Sequence, residues 1–428
     1  MVLGALAYLA TPLSSAVAGE DSIRTAHFTS KTTPTGRMAG TAGECAGVRV
    51  AEGADLGVVM ESEPPGTTFC LPAAPYRIRS TITVEAGDRV IGTGRDATFI
   101  DGSGLAPTSV GIFEIDGDSY FADLDVSGAP TPTADGAECG TRAAPYKSDC
   151  GMAFAIGGFA LTLRSVDCHD NGGACIAGGG SADVVVDNLD CWNNGSAYSM
   201  TPEFAYAACI KRAAIYSEPG NTTVTNSYIH DNPWVGIWCD FCKHGFFHIE
   251  NNRIVGNGRA GIQWEMSGGW TSSDHALVSN NLFRRNNYLN SEEGGGIIIS
   301  TANDVTIESN AFQANRRAAV NIVFTPSRDP PQPAGVGIRV ANNMLSHDVI
   351  LGCGRSAIPK RLVFLLREDP RGTILALFLV GGVVAVLVLL VRSRRRVVLL
   401  SIVGALVVLS FILLLLLLGS GAACLENV

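Results

Sequence analysis

One six-residue offset constrains this chain more than any other feature. Between residues 163 and 348, an Asn or Ser stands two positions after a β-branched or apolar residue, and an Asn or Asp stands six positions later. The pattern starts at Ser165, Asn188, Asn226, Asn251, Asn280, Ser309 and Asn342, and closes at Asn171, Asn194, Asn232, Asn257, Asn286, Asn315 and Asp348. An apolar residue sits between each pair: Cys168, Cys191, Ile229, Ile254, Phe283, Phe312 and Leu345. Successive starts lie 23, 38, 25, 29, 29 and 33 residues apart, so the offset is constant and the differences are insertions. A unit this short cannot bury its own apolar face; stacked copies bury a continuous core. Asn tolerates left-handed backbone at corners and can bond its equivalent one coil on, so these Asn residues are expected to be structural rather than catalytic.

Here the residues resemble the right-handed parallel β-helix superfamily, which includes pectate lyases, polygalacturonases, uronan epimerases and phage tailspikes. The resemblance covers residues 45–353 and implies an all-β solenoid. The stretch from Pro64 to Gly104 looks like the first coil of many secreted members, and residues 54–62 would be a short amphipathic helix over the open end of the stack. Residues 129–150 break the pattern and are expected to project as a loop, pinned by Cys139 and Cys150.

The remaining chain is of another kind. Residues 373–391 and 397–418 carry no charge, and as helices each spans about 30 Å, the hydrocarbon thickness of a bilayer. Only residues 392–396, with four arginines, separate them, so a two-helix transmembrane hairpin with a basic cytoplasmic loop is expected. Residues 354–372 form the juxtamembrane segment and residues 419–428 a tail. Residues 1–18, apolar and ending in small residues, read as a signal peptide, followed by a linker over 19–44. Together these features place the protein in a cell membrane with residues 45–353 extracytoplasmic. Polar residues are nearly absent from both spans, so transport has no support.

Before Lys360 the chain carries 23 Lys/Arg against 37 Asp/Glu, which argues against nucleic acid as a partner. Eleven of the twelve cysteines precede residue 360 and suit disulfides in an oxidising space, although their pairing cannot be read from spacing. Cys239 and Cys242 form a lone CxxC, read as structural. Asn194 and Asn221 head N-x-S/T triplets.

Equivalent residues in neighbouring coils lie about 4.8 Å apart, so register maps the outer surface. Residues 236–240 (GIWCD) and 261–265 (GIQWE) align without gaps. Alternation sends Ile237, Cys239, Ile262 and Trp264 inward, and Trp238, Asp240, Gln263 and Glu265 outward. Two stacked carboxylates supply an acid and a base, or hold a cation. Trp234, Trp238, Trp264 and Trp270 lie close by, and exposed aromatic rings beside carboxylates suit sugar binding. In the coil before, Ile210 aligned with Ile237 puts Lys211 beside Trp238; Ile215 so aligned would instead bring Glu218 beside Asp240 and Glu265. The first is preferred because the sequence resembles a subgroup of β-helix repeat proteins presumed to act on carbohydrate. Ser300 and Asn321 fall in neighbouring places one and two coils on.

His169 and His230 open two HDN corners; such His-Asp pairs usually stabilise turns, and His230 is the better site candidate. His244, His248 and His275 lack ligand spacing, so no metal site is expected. The candidate catalytic residues are Asp240, Glu265 and Lys211; the candidate substrate-binding residues are Trp238, Gln263, His230, Ser300 and Asn321. No cofactor is required, and calcium is the cation the paired carboxylates would admit. The expected partners are a polysaccharide and, through the hairpin, the lipid bilayer. The chain is therefore read as a polysaccharide-binding or polysaccharide-cleaving protein, by hydrolysis or by lyase or epimerase chemistry; the rival reading is a non-catalytic adhesin or cell-envelope scaffold. The Asp-Asp spacing of polygalacturonases and the Arg-containing elimination motif of pectate lyases are both missing.

Overall fold

The computed structural model describes residues 45–131, 150–178, 183–195, 208–213, 220–240, 245–265, 275–291, 293–300, 302, 304–323 and 337–351. The leader, the linker, the juxtamembrane segment and the hairpin lie outside the described residues, as do most of the 129–150 loop, Glu218, His244, Cys242 and Trp270. Among the described residues, no helix is long and apolar enough to cross a membrane.

Alternation over three short runs builds each coil. In one coil the strands are Thr222–Thr225, Tyr228–His230 and Val235–Asp240, and in the next Phe247–Glu250, Arg253–Val255 and Ala260–Glu265. Each strand pairs in parallel with its equivalent one coil on: Thr222 with Phe247, Tyr228 with Arg253, Val235 with Ala260. The third strand of every coil joins a ten-stranded sheet running from Ile82–Val84 to Ile350–Leu351. The first two faces merge into a nineteen-stranded sheet, because Ser119–Ser127 and Leu161–His169 each cross the corner as one strand, turning at Asp123 (φ 56°) and Ser165 (φ 52°). The fold is all-β, with one α-helix among the described residues. That helix, Leu56–Ser62, is capped by Asp55, whose Oδ1 accepts from Val58 N at 3.3 Å. Leu56 and Met60 enter the core cluster that also holds Ile82, in the first strand of the ten-stranded sheet.

All seven starting residues of the repeat take the left-handed conformation, with φ between 52° and 58°. The residues six positions on form an uninterrupted ladder inside the stack. Asn257 shows one rung: its Nδ2 donates to Asn286 Oδ1 (3.0 Å) and Ile229 O (3.2 Å), while its Oδ1 accepts from Asn232 Nδ2 (3.0 Å). The ladder runs from Asn171 to Asp348. A second ladder, not anticipated, joins Asn252, Asn281, Asn310 and Asn343 at 3.0 Å per rung. It uses the residue after each left-handed corner, whose side chain the turn directs inward. Both ladders answer the same need: a corner buried by stacking exposes backbone groups that must be bonded.

Inside, Phe113, Phe121 and Phe154 pack with centroids 4.8–5.5 Å apart, and Phe283 stacks on Phe312 at 4.9 Å. Cys168–Cys175 and Cys191–Cys209 cross the interior from the second face to the third, and Cys45–Cys70 ties the first coil. Cys150 and Cys239 are also disulfide-bonded, which accords with the structural reading of the CxxC. Asn194, a rung of the ladder, is fully buried, whereas Asn221 is exposed; only the latter N-x-S/T triplet presents its side chain to solvent.

Candidate functional site on the ten-stranded sheet

The strands Ala208–Ala213, Val235–Asp240, Ala260–Glu265, Gly295–Ser300 and Val320–Val323 lie side by side. Ile210 pairs with Ile237, which sets Lys211 against Trp238 and Trp238 against Gln263. Two positions along, Ala213, Asp240, Glu265 and Ser300 form one column. Gln263 continues through Ile298 to Asn321. The structure thus brings together seven of the eight predicted site residues on one face.

Ile237, Cys239, Ile262 and Trp264 belong to the core. On the opposite side, Trp238 packs on Ala208 and Val235, with half-buried Trp234 against them. Lys211 Nζ lies 5.1 Å from the centroid of the Trp238 ring and 4.0 Å from Asp240 Oδ2. Gln263 Nε2 donates to Glu265 Oε2 at 2.8 Å. Gln263 Oε1 is buried without a hydrogen-bond partner among the described residues.

Outward does not mean exposed here, which corrects the expected open groove. Lys211 and Gln263 are 1% exposed, Trp238 5%, Asp240 7%; Ser300 and Asn321 are also buried, and Glu265 is half-buried. Lys211 lies over the Trp238 ring and beside Asp240, so these side chains help to cover one another. Trp264, which alternation sends inward, is a core residue, so its nearness in sequence to the carboxylates does not make it a sugar-facing ring.

His230 is the second correction. It ends the strand Tyr228–His230 on the neighbouring face and stays away from Lys211 and Asp240. Its Nε2 meets Asp190 Oδ1 at 3.1 Å, its Nδ1 meets Asp231 Oδ2 at 2.7 Å, and its ring stacks on Tyr228 at 3.9 Å. His169 repeats the arrangement: Asp125 at 2.9 Å, Asp170 at 2.6 Å, and Trp192 stacked at 4.1 Å. Burial lowers the His169 pKa, but the two carboxylates outweigh it and raise it to about 9. His230 is raised by the same balance. Beside them, Asp125, Asp167 and Asp190 form a column. Burial pushes Asp167 up to about 6 against the opposing pull of Arg95, whose Nη1 is 2.9 Å from Asp167 Oδ1. This cluster escaped the sequence reading, although each of Asp167 and Asp190 directly precedes a repeat cysteine.

Among the described residues, no group of three or more His, Cys, Asp or Glu is arranged to hold a metal ion. The sheet topology and the repeat register have a counterpart in a known family: the model for the right-handed beta helix region matches residues 146–269 and 203–345. The described residues are parallel β-helix coils.

Other parallel β-helix structures resemble the chain at low identity. An alginate lyase from Paenibacillus sp. strain FPU-7 is 11% identical over 71% of this chain and 96% of that one, with a TM-score of 0.49. PfbA, a surface adhesin of Streptococcus pneumoniae, is 14% identical over 67% of this chain and 73% of that one, with a TM-score of 0.46. The A-module of the Azotobacter vinelandii mannuronan C-5 epimerase AlgE6 is 14% identical over 68% and 80%, with a TM-score of 0.41. Likenesses this distant carry no argument about what the β-helix of this chain does. No curated protein matches the chain.

Proposed function

We propose that this β-helix protein is exported, is anchored in the cell membrane by the hairpin at 373–418, and binds and cleaves a polysaccharide across its ten-stranded face. One observation carries the reading: Lys211, Trp238, Asp240, Gln263 and Glu265 converge over three adjacent coils, with Lys211 set between a ring and a carboxylate. Asp240 and Glu265 stand at the spacing of neighbouring strands, about 5 Å, which suits a retaining glycoside hydrolase. In this assignment Glu265, the more accessible of the two, gives its proton to the leaving oxygen as Asp240 attacks the anomeric carbon; water that gives its proton back to Glu265 then displaces Asp240 and frees the sugar. Lys211 neutralises Asp240, and Gln263 holds Glu265 in place through its amide. No resident metal is required; calcium would enter only as a bridge to an acidic sugar.

The purified chain should be screened on a polysaccharide panel by affinity gel and by product release. Trp238→Ala is expected to weaken retention of the bound glycan, while Asp240→Ala and Glu265→Ala abolish product release without abolishing retention. Retention with no product from the wild type would instead favour the adhesin or scaffold reading.

A further inference from the structure

Charge is distributed unevenly along the solenoid. Residues 45–240 carry 25 Asp/Glu against 10 Lys/Arg, whereas residues 241–351 carry 9 of each. In the later coils the arginines concentrate at one corner. Arg284 ends one coil's second strand and Arg285 follows at its corner, while Arg316 and Arg317 follow the equivalent strand of the next coil; all four are exposed. Arg285 N donates to Gln313 O (3.0 Å) and Arg316 N to Asn286 O (3.0 Å), so the two corners are clamped together.

Between them projects a short loop with an apolar tip. Tyr288 and Leu289 are 42% and 46% exposed, among the more exposed large apolar residues described. The loop is held rigid. Asn287 Nδ2 donates to Ser291 O and Arg316 O, both at 3.1 Å, and Asn287 Oδ1 accepts from Ser291 N at 2.8 Å. Arg316 Nη1 donates to Tyr288 O at 2.6 Å, and Leu289 N to Gly258 O at 3.0 Å. Two described acids border this edge: Glu293 is bonded to Arg259 at 2.8 Å, and Asp231, whose carboxylate acts after burial in raising the Tyr288 pKa, is held by His230 at 2.7 Å.

We propose that this corner docks on an anionic phospholipid surface, with Arg284, Arg285, Arg316 and Arg317 on the headgroup phosphates and Tyr288 and Leu289 at the acyl boundary. Guanidinium groups match phosphate bidentately, and a tyrosine beside a leucine fits the polar-to-apolar step of the interface. A hydroxyl-rich glycan offers the leucine no comparable environment. The place along the chain fits as well: 21 residues separate the last strand from the apolar span at 373, and they contain Lys360, Arg361, Arg367 and Arg371. The proposal rests on the membrane-tether reading for its setting, and it orients the domain so that the acidic early coils stand away from the bilayer.

The test uses the full chain in vesicles of phosphatidylcholine alone or mixed with phosphatidylglycerol, reading hydrogen exchange over residues 284–291 and 313–317. Exchange is expected to slow by about tenfold in the anionic vesicles, less so at high salt. Replacing all four arginines by glutamine, or Leu289→Ser alone, should remove that slowing while the circular dichroism spectrum stays unchanged. Equal exchange in both vesicle types, or slowing that survives the glutamine variant, overturns the proposal. So does protection by a soluble uronic-acid polymer in neutral vesicles when phosphatidylglycerol gives none. If an alkaline carbonate wash strips the chain from the vesicles, the hairpin reading fails. Docking is then read as flotation with anionic vesicles only, lost in the glutamine variant.

Discussion

Lys211 Nζ lies 4.0 Å from Asp240 Oδ2, and both residues are buried on the outward side of their strands. A charge pair removed from water costs more to break than to replace, because one partner taken away leaves the other desolvated. Lys211→Met is therefore expected to lower stability by about 3 kcal/mol. Lys211→Met with Asp240→Asn should cost less than the two single changes added, with a coupling of about 1 kcal/mol or more. Urea unfolding of the four proteins measures it; strict additivity would mean that the two charges do not interact.

Asn257 stands mid-ladder, giving and taking bonds on both sides. Asn257→Ala strands the Ile229 carbonyl and breaks the rung to Asn286, so a loss of about 3 kcal/mol is expected. Thr108→Ala, at an exposed turn position with ordinary backbone, should cost less than about 1 kcal/mol. Thermal unfolding of both variants checks the contrast.

The stacked histidines make the fold sensitive to alkali. His169 is raised from its ordinary 6.5 to about 9, so its contribution is complete below about 6.5 and disappears as pH rises through 9. Asp167, raised to about 6, favours the protonated form, so the cost of ionising it is fully present above that pH. The melting temperature is expected to fall between pH 8 and about 10. Tryptophan fluorescence should rise over the same range as the imidazolium stacked on Trp192 discharges. His169→Asn should remove the transition near pH 9; its survival would assign it to another group.

Cys191–Cys209 spans 18 residues across the interior. Cys191→Ala with Cys209→Ala is expected to destabilise the chain by about 3 kcal/mol, read by chemical denaturation. No loss would show that the loop closed by this bridge is already restrained by the coils around it.

The solenoid was legible because its repeat is a backbone requirement: Ser165 and Asn226 serve as left-handed corners, Asn171 and Asn232 as rungs, and neither job reaches beyond the neighbouring coil. The same constancy placed Lys211 beside Trp238, since parallel register carries one coil's alignment to the next. Burial was not legible. Alternation shows that Trp238 and Gln263 leave the core side but not that they are covered, because cover depends on side chains of neighbouring coils, as Lys211 covers Trp238. His230 was misplaced for a related reason: one strand and one corner stand between it and Asp240, enough to turn it onto a different face. The second ladder was missed because Asn252 and its equivalents directly follow the corner residue and were hidden behind it.

The central claim is that Asp240 and Glu265 act on one glycosidic bond. Product release from the best-retained polysaccharide, measured for the wild type, Asp240→Asn and Glu265→Gln under equal glycan retention, tests it most directly. Each variant is expected to lose at least about 100-fold in turnover with little change in affinity. Wild-type turnover in both variants would contradict the account.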